Sequence, residues 1–220
     1  MFAGHIGAAL AIGRAERGVN VGVFIAAALL LDFVLWLLVL LGLETVTIPA
    51  DFGRTHQAQF VFPYSHGLIA SVAWSVLAGV VGFVGYSRLQ TKRRAAVLIG
   101  VAVLSHWILD ALVHRPELPL TGAASHSVGF GLWNNMPLAL TLEAVVVGVG
   151  LWLFVSGTQL VRGKRIVLVV LCLVVMTFTA VGMTLAPAPP SALAMAASSL
   201  ATLILVCVLT LWLGRIPGLK

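Results

Sequence analysis

The chain has 220 residues, and its 13 Lys and Arg with 7 Asp and Glu make 9% charged, against about 25% in soluble domains. With 60% hydrophobic residues and a mean hydropathy of +1.10, apolar surface exceeds what one compact core can hide, which excludes a water-soluble globule. The net charge of +6 does not point to nucleic acid, because the basic residues fall in short clusters between apolar runs, as in the cytoplasmic loops of membrane proteins.

In chain order, the apolar runs predict a short segment over 2–13, then spans near 20–43, 61–86, 95–114, 136–156, 165–185 and 191–213. The expectation is an all-α polytopic bundle of about seven membrane segments. The first is too short to cross alone at about 1.5 Å per residue. No Lys or Arg precedes it, which argues against a cleaved signal peptide. Gly and Pro punctuate the breaks, among them Gly18, Pro49, Pro116, Gly157 and Pro187. One domain is expected, with 1–156 as the membrane-embedded site bundle and 157–220 as a C-terminal transmembrane hairpin serving as scaffold. Residues 166–214 hold no ionisable side chain except Cys172 and Cys207, which lack metal-type spacing.

Eleven of the 13 basic residues lie in alternate connections: Arg14 and Arg17; Arg88, Lys92, Arg93 and Arg94; Arg162, Lys164 and Arg165; Arg215 and Lys220. The positive-inside rule makes that side cytoplasmic, so the N-terminus is expected outside and the C-terminus inside. Connections 44–60, 115–135 and 186–190 then face the extracytoplasmic space.

On that topology all six histidines, and every acid except Glu16, map to the outer half or the outer loops. Asp32 is expected to be the deepest. An Asp within a span costs about 2.5–3.5 kcal/mol on insertion scales, so a group of such residues needs mutual compensation, most simply a bound cation. His106, Asp110 and His114 recur at i, i+4 and i+8, on one helical face. His5 and His66 are expected about one turn, and Glu143 about two turns, from the outer ends of their segments.

The expected metal ligands are His5, Asp32, His66, His106 and Asp110, with His66, His106 and Asp110 as the principal set. Asp32 and Glu143 are the candidate catalytic acids. His114, Glu117, His126, Trp133 and Asn134 are expected around the ligands or the substrate. Zn²⁺ suits these mixed donors, as one or two ions, with Mn²⁺ or Fe as alternatives. Simpler readings stand beside these. A lone intramembrane His or Asp can hydrogen-bond across helices, His114 can be a boundary residue, and His56 and His126 can be solvated loop residues. Trp133 can be an interfacial anchor, and Ser65 and Ser105 can bond to their own helix backbone. Glu143 needs a cation, a ligand histidine or a helix N-terminus to justify its depth.

The order His5, Asp32, Ser65-His66, Ser105-His106 with Asp110 four on, then His114-Arg115-Pro116-Glu117-Leu118-Pro119 and Gly129 to Asn134, resembles bacterial inner-membrane proteins grouped as predicted membrane-bound metal-dependent hydrolases. The resemblance covers about residues 1–145 and implies an integral protein of the bacterial cytoplasmic membrane. A looser similarity is to zinc-dependent phospholipase C and related nucleases, whose ligand order opens as His5, Asp32, His66, His106 and Asp110 do here. The later part departs, since His126 lacks a following HxxxE, Glu143 stands 17 positions on, and the free N-terminal residue that ligates metal in those enzymes has no evident equivalent. One or two metals are therefore implied rather than three.

The function expected is metal-dependent hydrolysis, in the outer half of the bilayer, of a lipid-linked phosphoester or related ester that enters laterally. Membrane lipid or a lipid-linked substrate is the expected partner. A transporter or metal-handling permease on the same residues would need polar access from both faces and often inverted repeats. The inner halves are apolar, and no repeat appears beyond three Ser-His dipeptides. A noncatalytic subunit could use the histidines to join helices or bind haem, although the interleaved carboxylates suit harder ions. For the topology, single cysteines at Gln59 and Gly122 are expected to react with an impermeant thiol reagent from outside, and those at Gln90 and Gly163 only after permeabilisation; the opposite pattern would invert it.

Overall fold

Backbone amides and carbonyls in hydrocarbon must be satisfied within their own segment, so long apolar runs fold as helices. The computed structural model describes residues 1–214; the cytoplasmic assignment of Arg215 and Lys220 lies outside the described residues. Five helices are long and apolar enough to cross a membrane: α5 (Leu68–Gly85), α6 (Lys92–Val113), α7 (Met136–Gly157), α8 (Arg162–Thr184) and α9 (Ala192–Leu213). Helices α2 (Val21–Ala28) and α3 (Leu30–Leu40) meet at 49° and qualify together as a sixth. Helix α1 (Phe2–Gly13) has 12 residues.

Two expected spans differ from the sequence reading. The run over 20–43 is not one straight helix, because it bends at Leu29. The run over 61–86 becomes helical only at Leu68. Its first residue, Val61, ends strand β2 (Gln59–Val61), antiparallel to β1 (Thr45–Thr47), with Thr45 opposite Val61. Pro63 cannot donate to a helical ladder, and the chain turns through Tyr64 and Ser65 before α5 begins. Between the two strands lies the single-turn helix α4 (Phe52–Thr55).

The long connection over 115–135 also has structure. It holds a short ladder of β3 (Leu118–Pro119) with β4 (Ser127–Val128) and a 3-10 turn over Leu132–Asn134. Gly129, at φ 155°, passes so close to the Arg115 carbonyl that no side chain fits there. The two hairpins are tied together: Gln57 donates to the Trp133 carbonyl at 3.0 Å and accepts from Arg115 at 2.8 Å.

Helix α1 is largely enclosed, with Ala3, His5, Ile6, Ala9 and Leu10 buried among α7, α2, α6 and α8. It reaches that position through glycine. A Cβ on Gly150 of α7 would collide with the Gly7 carbonyl, and one on Gly7 would lie 2.5 Å from the Val146 oxygen. Backbones thus touch, the usual mode of close helix contact in lipid. By contrast α5 packs chiefly on α6 and exposes Ile69, Val76, Val80 and Val84.

Gly150→Val should force α7 away from α1, at the roughly 1–3 kcal/mol cost of overpacking, and lower the thermal unfolding midpoint. Gly148→Val, whose added carbon meets nothing within 4 Å, should leave the midpoint unchanged in the same melting experiment.

Candidate metal centre

Helix α6 supplies the axis of the site. His106 and Asp110, one turn apart, face inward, with His106 Nε2 3.1 Å from Asp110 Oδ2. His114, at the C-terminal cap of the same helix, brings its Nε2 to 3.7 Å from that oxygen. Helix α1 adds His5, whose Nε2 lies 3.1 Å from Asp110 Oδ1 and whose ring stacks on His106 with centroids 3.7 Å apart. The turn before α5 adds His66, 3.5 Å from Asp110 Oδ2 and, through Nε2, 3.1 Å from Nε2 of His106. Asp32 of α3 places Oδ1 3.7 Å from His66 Nε2 and 3.6 Å from His106 Nε2.

The five expected ligands therefore converge. Donor atoms of His66, His106 and Asp110 lie within 4.8 Å of one another, as do those of His5, Asp32 and His106. These buried groups could hold a metal ion. Asp32 sits in the first turn after the bend, with its side chain 21% exposed to a cavity, whereas Asp110 is 3% exposed.

Hydrogen bonds fix which ring nitrogens are free. The Ala28 carbonyl, at the bend between α2 and α3, accepts from His106 Nδ1 at 2.6 Å, so the neutral ring keeps a lone pair on Nε2. His66 is fixed through Ser65. Its hydroxyl donates to Glu44 Oε2 at 2.7 Å and has one proton, so it accepts from His66 Nδ1 at 2.8 Å. His66 too is left with a lone pair on Nε2. Two lone pairs 3.1 Å apart repel unless a cation or a proton lies between them. The Nδ1 atom of buried His5 has no hydrogen-bond partner.

Glu44 had no role in the sequence reading. The pairing of Thr45 with Val61 carries it to the turn before His66, where Oε1 accepts from the amides of Tyr64 and Ser65, each at 2.8 Å. Burial pushes its carboxyl above the ordinary range, and the bonds from Ser65 and Tyr64 pull it part of the way back. Ser65 accordingly bonds to Glu44 and His66 rather than to a helix backbone as expected. The only sequence signal was the Ser-His dipeptide.

The remaining candidates divide. His114 belongs to the cluster, its Nδ1 2.6 Å from Glu117 Oε1 and its ring 4.1 Å from that of Trp133. Glu143 resolves toward a helix N-terminus: its Oε2 accepts from the Gly4 amide of α1 at 3.1 Å. The Met1 amino group, which no motif marks, donates to Asp110 Oδ1 at 2.8 Å. His126 and Asn134 are exposed and neither line the cavity nor bond to the cluster. His56, read as a loop residue, does line the cavity.

That cavity, of about 310 Å³, is bordered by Asp32, His66, Asp110, His114 and Glu143 on one side and by aromatic rings that include Trp36, Phe60 and Trp133. Helices α8 and α9 supply a further wall, so the segment expected as scaffold also shapes the site.

Glu44→Ala should free the Ser65 hydroxyl to donate to His66 Nδ1, moving the ring proton to Nε2, where it blocks the site. Divalent-cation affinity, measured by competition with a chelating dye, should fall about 10–100-fold, and Glu44→Gln, which retains an acceptor, should lose less. No family model, curated protein or solved structure matches this chain, so the identity of the site rests on its own atoms: a buried His and Asp cluster, fit for a metal ion, opening on a cavity in a bundle of apolar helices.

Proposed function

We propose that the protein is an integral-membrane metal-dependent hydrolase that cleaves a lipid-linked phosphoester or a related ester in the outer half of the bacterial cytoplasmic membrane. The observation that carries the reading is the pair of Nε2 lone pairs of His66 and His106, 3.1 Å apart and both beside Asp110. Zn–N bonds of about 2.0–2.1 Å at tetrahedral angles set neighbouring donors about 3.3 Å apart. The separations among His66, His106 and Asp110 are 3.1, 3.1 and 3.5 Å, which supports Zn²⁺ first, with Mn²⁺ or Fe compatible with the same donors. One ion fits His66, His106 and Asp110; a second would have to use His5 and Asp32 without the single lone pair of His106.

When bound, such an ion polarises an ester oxygen and acidifies water at neutral pH. Asp32, partly exposed between the cluster and the cavity, is placed to take the proton of an attacking water. Glu143 holds the first turn of α1, and with it His5, beside Asp110 and His106. Glu117 holds His114 with its Nε2 toward Asp110. The rings of Trp36, Phe60 and Trp133 exclude bulk water and suit the apolar neighbour of a lipid ester. The outer-half placement follows from the basic clusters read with the positive-inside rule.

Asp32→Asn keeps the shape of the side chain but removes the base, so release of product from a panel of lipid phosphoesters in bilayers should fall by about two orders of magnitude or more. Wild-type activity should vanish with chelator. Metal analysis of the purified protein should give stoichiometric ion in the wild type and in His56→Ala, and none in His106→Ala/Asp110→Ala. Activity that survives chelation, or in Asp32→Asn, would overturn the mechanism, and ion-dependent uptake without hydrolysis would favour a permease.

A further inference from the structure

Helices α8 and α9 are consecutive in sequence yet pack on different partners. Helix α8 lies chiefly against α7 and α1, and α9 chiefly against α2 and α3, with a smaller direct contact between the two. A slot therefore stays open between them, and the cavity beside the metal cluster extends into it. Phe178, Gly182 and Met183 border it on α8, and Met195, Ser199 and Leu203 on α9. Each set recurs at helical spacing, so each is one face of its helix. Phe178 is exposed at the flank of the bundle, where a membrane presents hydrocarbon.

One polar atom in this slot lacks a partner. Thr141, Thr158, Thr184, Thr202 and Thr210 donate their hydroxyls to the carbonyl four residues earlier in their own helices. Thr179 does not. Its residue is 6% exposed, its Oγ1 has no hydrogen-bond partner among the described residues, and it lines the cavity. A buried hydroxyl with no partner is costly in an apolar setting, so its persistence on a cavity wall points to a ligand acceptor.

We infer that the slot between α8 and α9 receives one hydrocarbon chain of a membrane amphiphile, which enters sideways from the bilayer, and that Thr179 donates a hydrogen bond to an oxygen of that molecule. The apolar and small side chains accept the chain, and the continuity of the cavity carries the polar part toward Asp32 and His66. At about 310 Å³ the space lies near the lower end of the range for ligand sites, about 300–1,000 Å³, which suits a head group with part of one chain rather than two. The inference rests on the hydrolase reading for what happens at the head group, but occupancy of the slot needs no turnover.

The test uses the full chain in bilayers doped with phosphatidylglycerol carrying a diazirine midway along one acyl chain. After irradiation and digestion, adducts should map to the slot-facing positions within 178–183 and 195–203. Gly182→Phe, built into open space since a Cβ there meets nothing within 4 Å, should abolish slot labelling without changing metal content. Thr179→Val, nearly isosteric and compatible with folding, should lower it about three- to tenfold, the worth of one hydrogen bond. Adducts confined to the outward residues Leu173, Val174, Leu205 and Val208, with equal yield in wild type and Thr179→Val, would overturn the inference. Metal-dependent hydrolysis together with that result would defeat the slot alone. Slot labelling in a protein that binds no metal would defeat the hydrolase reading and leave the slot standing.

Discussion

A carboxylate buried in an apolar bundle is tolerated only when its charge is compensated, and Asp110 is such a group: the Met1 amino group donates to it, and the Nε2 lone pairs of His66, His106 and His114 could share a cation with it. Its side chain is 3% exposed and faces His5, His66, His106, His114 and the Met1 amino group. Removing one partner of a buried pair costs about 3–5 kcal/mol, because the other charge is left unsatisfied. The elements that carry those partners are accordingly held in place: α1 by the glycine contact with α7, the turn before α5 by Glu44, and the end of α6 by Glu117. The geometry of the His and Asp cluster and the packing of the bundle are thus one problem solved together.

The bend at Leu29 shows how backbone serves that solution. Non-helical backbone at membrane depth is tolerated where it is buried in protein or lines a cavity. Here the break leaves the Ala28 carbonyl facing His106 Nδ1 and turns Asp32 toward the cavity. A straight helix would keep that carbonyl within its own ladder. Carbonyl, carboxylate and hydroxyl acceptors fix the outer nitrogens of three histidines, so their inner nitrogens converge as a set.

The arrangement around the cluster is asymmetric. Apolar side chains of α5 face outward, uncovered by any described residue, whereas the polar groups gather under the two hairpins. Phe60 and Phe62 of the first hairpin stand edge-on to His66 and His114, and Trp133 of the second packs on His114. A chamber lined by aromatic rings beside strongly polar groups strengthens electrostatic interactions within it, which suits the proposed metal-dependent chemistry.

Much of this was legible because it is local. Apolar run length gave the long helices, and the spacing of His106, Asp110 and His114 placed them on one face, since 3.6 residues per turn is a property of the backbone alone. The convergence of His5, Asp32 and His66 on them could be expected from the cost of isolated charges in lipid. Composition could not locate the bend at Leu29, which turns Asp32 toward the cavity. Nor could it relate Glu44 to Ser65, because strand pairing across the first hairpin makes that contact, or seat the Met1 amine on Asp110. The residues over 166–214 read as scaffold because they carry no acid or base, and only the separate partners of α8 and α9 turned Thr179 toward a cavity. The sequence by itself determined which segments are helical and which side chains must be compensated, since both follow from local periodicity and solvation. The tertiary structure decided which nitrogen faces which oxygen, since that depends on contacts between residues distant in the chain.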